Sequence, residues 1–274
     1  NDWAEEARLK ALNAALKDIK SGKDVDIASP TLKRFHQLLW SKPLPTGEKM
    51  DLSDAVKNSY LVYKSKGKIF YLSSDSISNS YRNTKKLSHL LLGLEDEVQR
   101  FQQIGNTIGG YIIFPSKSEE KGMSINQSRG FNQIISDRFD FTLECIRLHY
   151  LGGSNPLEEV LTRNSEYFKL FGSFIDYVKF FLLDDLVNSS FDSVSFFIGT
   201  KDFKDWGLPK NRDEYLQYLE NSVAFTKKRN KRIQNWANIN LDKSGKIGEG
   251  SVKGKFTYTE EEFIQMINRS SPTP

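Results

Sequence analysis

Apolar residues recur along this chain at two periods, and the changes of period mark its elements. Leu9, Leu12, Leu16 and Ile19 fall on one stripe of a helix over residues 3–20. A polar stretch, 21–26, separates that helix from Ser29-Pro30. A serine followed by proline predicts an N-cap and a first helical position, because the proline nitrogen needs no partner there. The helix should end near Trp40, ahead of Pro43 and Pro45. Aromatic, β-prone runs at 60–63 and 68–73 flank Lys64-Ser65-Lys66-Gly67 and predict a hairpin. Residues 84–104 read as helical with a break at Gly93. Residues 110–114 read as a short apolar strand ended by Pro115, with a polar loop over 116–124.

Further on, residues 131–150 read as one helix. Asn155-Pro156 opens a helical region that runs to Val187, 194–198 read as a strand, and 213–238 as a long helix. Residues 241–255 are rich in Gly, Lys and Ser and read as a loop. Thr259 and Glu262 match a capping box for a final helix over 260–268. The strands are short and the segments between them long and helical. The pattern therefore predicts an α+β, predominantly helical single domain with a small antiparallel or mixed sheet. Its organisation reads as an N-terminal helix and linker (1–28), a main domain (29–238) and a Gly/Lys-rich loop with a short C-terminal helix (239–274).

Composition narrows the class. In 274 residues, 38% hydrophobic content, with 19 Phe, 11 Tyr and 4 Trp, is enough to build a core and excludes global disorder. The formal net charge of +4 is too small for tight, nonspecific duplex binding. One cysteine, Cys145, excludes an intrachain disulfide and a cysteine zinc finger, and a reducing cytoplasm is the simplest compartment. The most apolar stretch, 170–187, carries Asp176, Lys179, Asp184 and Asp185, so it reads as a core helix rather than a membrane span. Residues 1–20 hold four acidic residues and no apolar run, unlike a signal peptide.

Candidate chemistry concentrates in 131–150. On a helix, Phe139, Leu143, Ile146 and Tyr150 share one stripe, Phe141 and Leu148 lie nearly opposite, and Asp140, Glu144 and Arg147 lie between. A helix apolar on two faces sits inside the core, so its charged stripe borders buried territory and needs partners. The stripe reads either as a pocket wall with two carboxylates and a guanidinium or as an internal ion-pair network. Upstream, Ser128, Arg129 and Asn132 precede the helix, where free N–H groups favour anions. Lys227, Lys228, Arg229, Lys231 and Arg232 form a basic run near Trp236, either a phosphate contact or a solvated helix face.

Other motifs fit less well. Cys145 and His149 stand one helical turn apart but do not complete a zinc site. The segment 250–255 is one residue short of a phosphate loop and ends in Phe256. Arg82 and His89 match the permissive Arg-x₄₋₆-His spacing of HEPN-type ribonucleases.

Five blocks together, SPTLKRFHQLLWSKPLP (29–45), YLSSD (71–75), TIGGYIIFP (107–115), SRGFN (128–132) and DRFDFTLECIRLHY (137–150), resemble an uncharacterised bacterial protein family, a domain of unknown function. The resemblance extends to about Ile233 and implies one α+β unit in a bacterial cytoplasm, with no activity attached. It also draws attention to polar residues inside apolar frames, namely Lys42, Ser73, Ser74 and Asp75, besides Arg129.

Two function classes follow. One binds or processes a phosphate-bearing ligand, a nucleotide or RNA. Lys42, Ser73, Ser74, Asp75, Arg129, Asn132 and Arg147 would contact it, and Asp140 and Glu144 would serve as catalytic base or as magnesium ligands, with no transition-metal site. The other is a non-catalytic interaction component, of the kind found in toxin-neutralising or phage-defence systems, that meets a protein partner or a second copy of itself through its helical faces.

Overall fold

The computed structural model describes residues 29–241, except 56–59, 78, 83, 117–121, 200–202 and 205–206. The expected helix over 3–20, the Gly/Lys-rich loop and the final helix therefore lie outside the described residues.

Helix α1 (Pro30–Trp40) begins as its sequence dictates: the Ser29 hydroxyl accepts the Leu32 N–H at 3.2 Å, and Pro30 occupies the first position. Strands β1 (Leu52–Asp54), β2 (Leu61–Ser65), β3 (Lys68–Ser76) and β4 (Tyr111–Pro115) form one antiparallel sheet in the order β1-β2-β3-β4. The hairpin is tighter than its pattern predicts. Ser65 pairs with Lys68, and Lys66 (φ 46°) and Gly67 (φ 80°) make a two-residue turn with both residues left-handed. That geometry matches the twist of the flanking strands. Pro115 ends β4 opposite Leu72 on a sheet edge, where its missing N–H breaks no ladder.

The expected strand at 194–198 does not join this sheet. Val194 makes a single bridge to Val187, and the backbone beyond it is engaged by side chains instead. The sheet takes its remaining member from β1, three residues without a strand pattern of their own.

Residues 84–104 divide where expected. A 3₁₀ turn (Lys85–Leu87) and α2 (Ser88–Leu91) precede Gly93 at φ 71°, and α3 (Glu95–Gly105) follows. The expected single helix over 131–150 is two helices, α4 (Ile125–Phe131) and α5 (Phe139–Tyr150). Between them the Asn132 side-chain oxygen accepts the N–H groups of Ile134 and Ile135, an Asx turn that competes with the helix, and Ser136 and Asp137 take positive φ. The region 155–187 is likewise broken, into α6 (Glu158–Arg163), α7 (Ser165–Lys169), α8 (Phe174–Phe180) and a 3₁₀ turn (Asp184–Leu186). Gly172 (φ 75°) and Leu182 (φ 55°) interrupt it.

Helix α9 (Arg212–Asn240) is capped by Asn211, whose side chain accepts the Glu214 N–H at 2.9 Å. It packs against α3 and the Ile108–Gly110 turn. The approach is close enough to require glycine. A Cβ on Gly109 would lie 2.6 Å from Asn230 Oδ1 and 2.8 Å from the Thr226 carbonyl. One continuous core joins the sheet to the helices, and Trp40, Phe171, Tyr177, Phe180 and Phe181 stack in it with ring centroids 4.9–6.5 Å apart.

Candidate functional site

The charged stripe of α5 is engaged from end to end. Asp140 is fully buried, accepts the Phe197 N–H at 2.8 Å and pairs with Arg138, a residue the sequence pattern does not single out. Arg138 also donates to the carbonyls of Ile198 and Gly207 and stacks on Phe141 at 3.8 Å. Burial lowers its pKa, but Asp140 outweighs that and the net shift is upward. Glu144 takes two parallel bonds from Arg147, both 2.7 Å. Each carboxylate of the stripe thus has its own guanidinium, an arrangement suited to holding the 197–207 segment and the helix face in place.

Arg129 is fully buried in the last turn of α4, away from that helix's N-terminus, where Ser124 and Gln127 form the capping box. Its guanidinium donates to Thr142 Oγ1 at 2.9 Å and to the carbonyls of Asp137 and Ser76, with the Asp137 carboxylate at 3.5 Å. It ties α4 to α5 and β3. Asn132 supports the same corner by donating to the Pro156 carbonyl at 3.1 Å.

Ser73, Ser74 and Asp75 lie on β3 opposite Phe114, Ile113 and Ile112. Ser73 is half-buried, and the other two are buried. Ser74 Oγ is 2.9 Å from His36 Nε2, which invites a nucleophile–base reading. The ring's other nitrogen rules that reading out. Trp40 donates its indole N–H to Nδ1 at 3.0 Å, so Nδ1 is the acceptor and Nε2 carries the proton. A base needs Nε2 free of hydrogen and a carboxylate on Nδ1. Burial, and then the nearby Arg229, lower the His36 pKa to about 3, so the ring is neutral. The Asp75 carboxylate adds to the dominant effect of burial in raising the Tyr167 and Tyr177 phenols. Cys145 is buried as well, and burial pushes its thiol up, away from the reactive thiolate.

The basic run of α9 splits by facing. Arg229 is fully buried and donates to the carbonyls of Phe181, Gly109 and Tyr111, while Arg232 pairs with Asp185 at 2.8 and 3.0 Å. Lys228 and Lys231 are exposed.

Lys42 stands apart from the other expected residues. Its Nζ is 4.7 Å from the ring centroids of Phe180 and Trp236 and 5.2 Å from that of Trp40. Burial, and then Arg229, lower its pKa to about 7, against an upward pull from Asp184.

A surface groove of about 490 Å³ lies elsewhere, between the 3₁₀–α2 segment and the chain entering α9. Exposed Lys86, His89, Lys204 and Lys210 line it, over Leu87, Leu90, Leu208 and Pro209. Arg212 joins its two walls, donating to the carbonyls of Leu92 and Gly93 at 2.6 and 3.4 Å. Of the lining residues only His89 is marked by a sequence pattern, its spacing from Arg82. Among the described residues no group of three or more His, Cys, Asp or Glu could hold a metal ion, and no helix is long and apolar enough to cross a membrane.

A family model described as a family of unknown function (DUF6994) matches residues 12–233. No curated protein and no solved structure matches the chain.

Proposed function

The chain belongs to DUF6994, a family of unknown function, and from the geometry we propose that it binds a phosphate-bearing ligand, a nucleotide or a short stretch of RNA, in the Lys86–Lys210 groove. One observation carries the reading: three lysines and a histidine rim a groove whose floor is apolar. Ammonium groups attract phosphate, and Leu87, Leu90, Leu208 and Pro209 offer a surface for a base. The volume of about 490 Å³ falls in the range of small-molecule sites, roughly 300–1,000 Å³. Arg212 fixes the walls before the ligand arrives, which lowers the ordering cost of binding. On this reading Arg129, Asp140, Glu144 and Arg147 hold the frame, because each spends its charge on an internal partner.

Thermal unfolding with ATP, NAD or a short single-stranded RNA tests the proposal. A ligand at 100 times its Kd adds about 2.7 kcal/mol of stability. Mononucleotides alone shifting the transition would identify a nucleotide site, and RNA alone an RNA site. The double variant Lys86→Glu/Lys210→Glu, both exposed positions, should abolish the shift without lowering the transition of the free protein. No shift with any of the three, or a shift that survives in the double variant, would overturn the proposal. Either result would favour the protein-interaction class.

A further inference from the structure

We infer that Lys42 is a reactive amine that captures a small aldehyde as an imine, in the ring-walled recess between α1, α8 and α9. The inference is independent of the groove, whose lining residues it does not share.

Placement is the first argument. The Lys42 backbone is pinned on both sides: its N–H donates to the Trp40 carbonyl at 2.9 Å, and its own carbonyl accepts the Met50 N–H at 3.0 Å. The adjoining Pro43 bridges to Lys49. From this fixed turn the half-buried side chain reaches rings supplied by three helices, Trp40 of α1, Phe180 of α8 and Trp236 of α9. An ordinary lysine keeps its ammonium in water. This one exchanges much of that water for hydrocarbon and ring faces, and a lysine desolvated against apolar surroundings is the recurring form of an activated amine.

The surrounding charges form the second argument. From α9, Arg229 faces the amine with a second positive charge, held in place by backbone carbonyls rather than by a carboxylate. Arg232 on the same helix is matched by Asp185 and, at 3.8 Å, by Asp184. From α1, His36 is neutral. Asp184 and the ring faces favour the ammonium, while burial and Arg229 favour the amine. The balance near 7 leaves both forms populated at neutral pH, the amine to attack and the ammonium to return a proton.

The step balances without a cofactor. The Nζ lone pair attacks the aldehyde carbon, a C–N bond forms, and the C=O π pair moves to oxygen. That oxygen takes up the protons released from nitrogen and leaves as water, and the nitrogen pair closes the C=N bond. Water returns the aldehyde by the reverse path.

Limiting formaldehyde with cyanoborohydride, which reduces the imine to a stable methylamine, tests this on the full chain by peptide mass spectrometry. At pH 7, Lys42 should be methylated about tenfold faster than the exposed Lys228, a modest rate gain from a far larger amine fraction. Its rate should rise with pH to a half-maximum near 7 and then level, while that of Lys228 keeps climbing. The variant Asp184→Asn should move the half-maximum to lower pH, which a merely structural lysine would not show. Methylation of Lys42 at the Lys228 rate, no methylation of Lys42, or an unmoved half-maximum in Asp184→Asn would overturn the inference. Lys42→Arg, folded to the same extent by circular dichroism, should lose the fast-reacting site alone.

Discussion

Replacing Arg229 by methionine removes a charge that no carboxylate balances. The guanidinium is fully buried and makes four hydrogen bonds to three carbonyls: Nε and Nη2 to Phe181 at 3.2 and 3.0 Å, and Nη1 to Gly109 and Tyr111 at 2.9 and 2.7 Å. These carbonyls belong to the end of α8 and to the entry of β4, so the side chain fastens α9 to both. Methionine fills much of the volume and relieves the cost of burying a charge. It leaves three buried acceptors without this donor, each worth roughly 1–3 kcal/mol. Breaking a buried charged contact by removing one partner costs about 3–5 kcal/mol, which sets the expected loss.

Against a typical stability of about 5–15 kcal/mol, the variant should still fold. With a urea slope of about 2–3 kcal/mol/M, the midpoint should fall by about 1.5 M. Tryptophan fluorescence follows the transition, since the Trp40 ring lies 5.7 Å from the guanidinium. Arg229→Lys keeps the charge but has three donors on one nitrogen, which cannot span carbonyls on two sides, so its loss should fall between wild type and Arg229→Met. A methionine variant within about 1 kcal/mol of wild type would refute the reasoning.

Two further outcomes follow from the same interior. His36 has a folded pKa near 3 against a model value of 6.5, so below pH 6.5 the unfolded chain binds a proton that the folded chain refuses. Its contribution is fully present above pH 6.5 and is lost as pH falls toward 3. His36→Gln should flatten the stability slope in urea titrations between pH 6 and 4 by up to about 1.4 kcal/mol per pH unit, and an unchanged slope would contradict the assignment. Gly109→Ala should cost about 1–3 kcal/mol, because the Thr226 carbonyl at 2.8 Å is backbone and cannot swing aside. Gly130→Ala, in α4 with nothing within 4 Å, should be neutral or stabilising by up to about 1 kcal/mol in the same thermal assay.

Local chemistry settled much of this fold in advance. Ser29-Pro30 opens α1 because a hydroxyl and an N–H-free residue suit a helix start wherever they occur. Lys66-Gly67 turns the hairpin, and Gly93 breaks the helical stretch, because each adopts positive φ within its own few residues. The blocks in 29–45, 107–115 and 137–150 likewise lie within the family match over 12–233.

Tertiary structure decided what depends on partners far along the chain. Residues 194–198 have strand composition, yet Asp140 and Arg138 claim the backbone groups of Phe197 and Ile198 that a ladder would have used. Strand β1 has no pattern and exists because β2 offers it an edge. Periodicity places Arg129, Arg138 and Arg229 on helix faces or ends but cannot show that remote carbonyls wait there to solvate them. The Lys42 recess needs rings from three helices, and the groove joins residues 86–90 to 204–210 through Arg212. Caps and turns are short-range hydrogen-bond choices written in adjacent residues, whereas the placing of charge depends on which distant dipoles and ring faces the packed chain brings within a few ångströms.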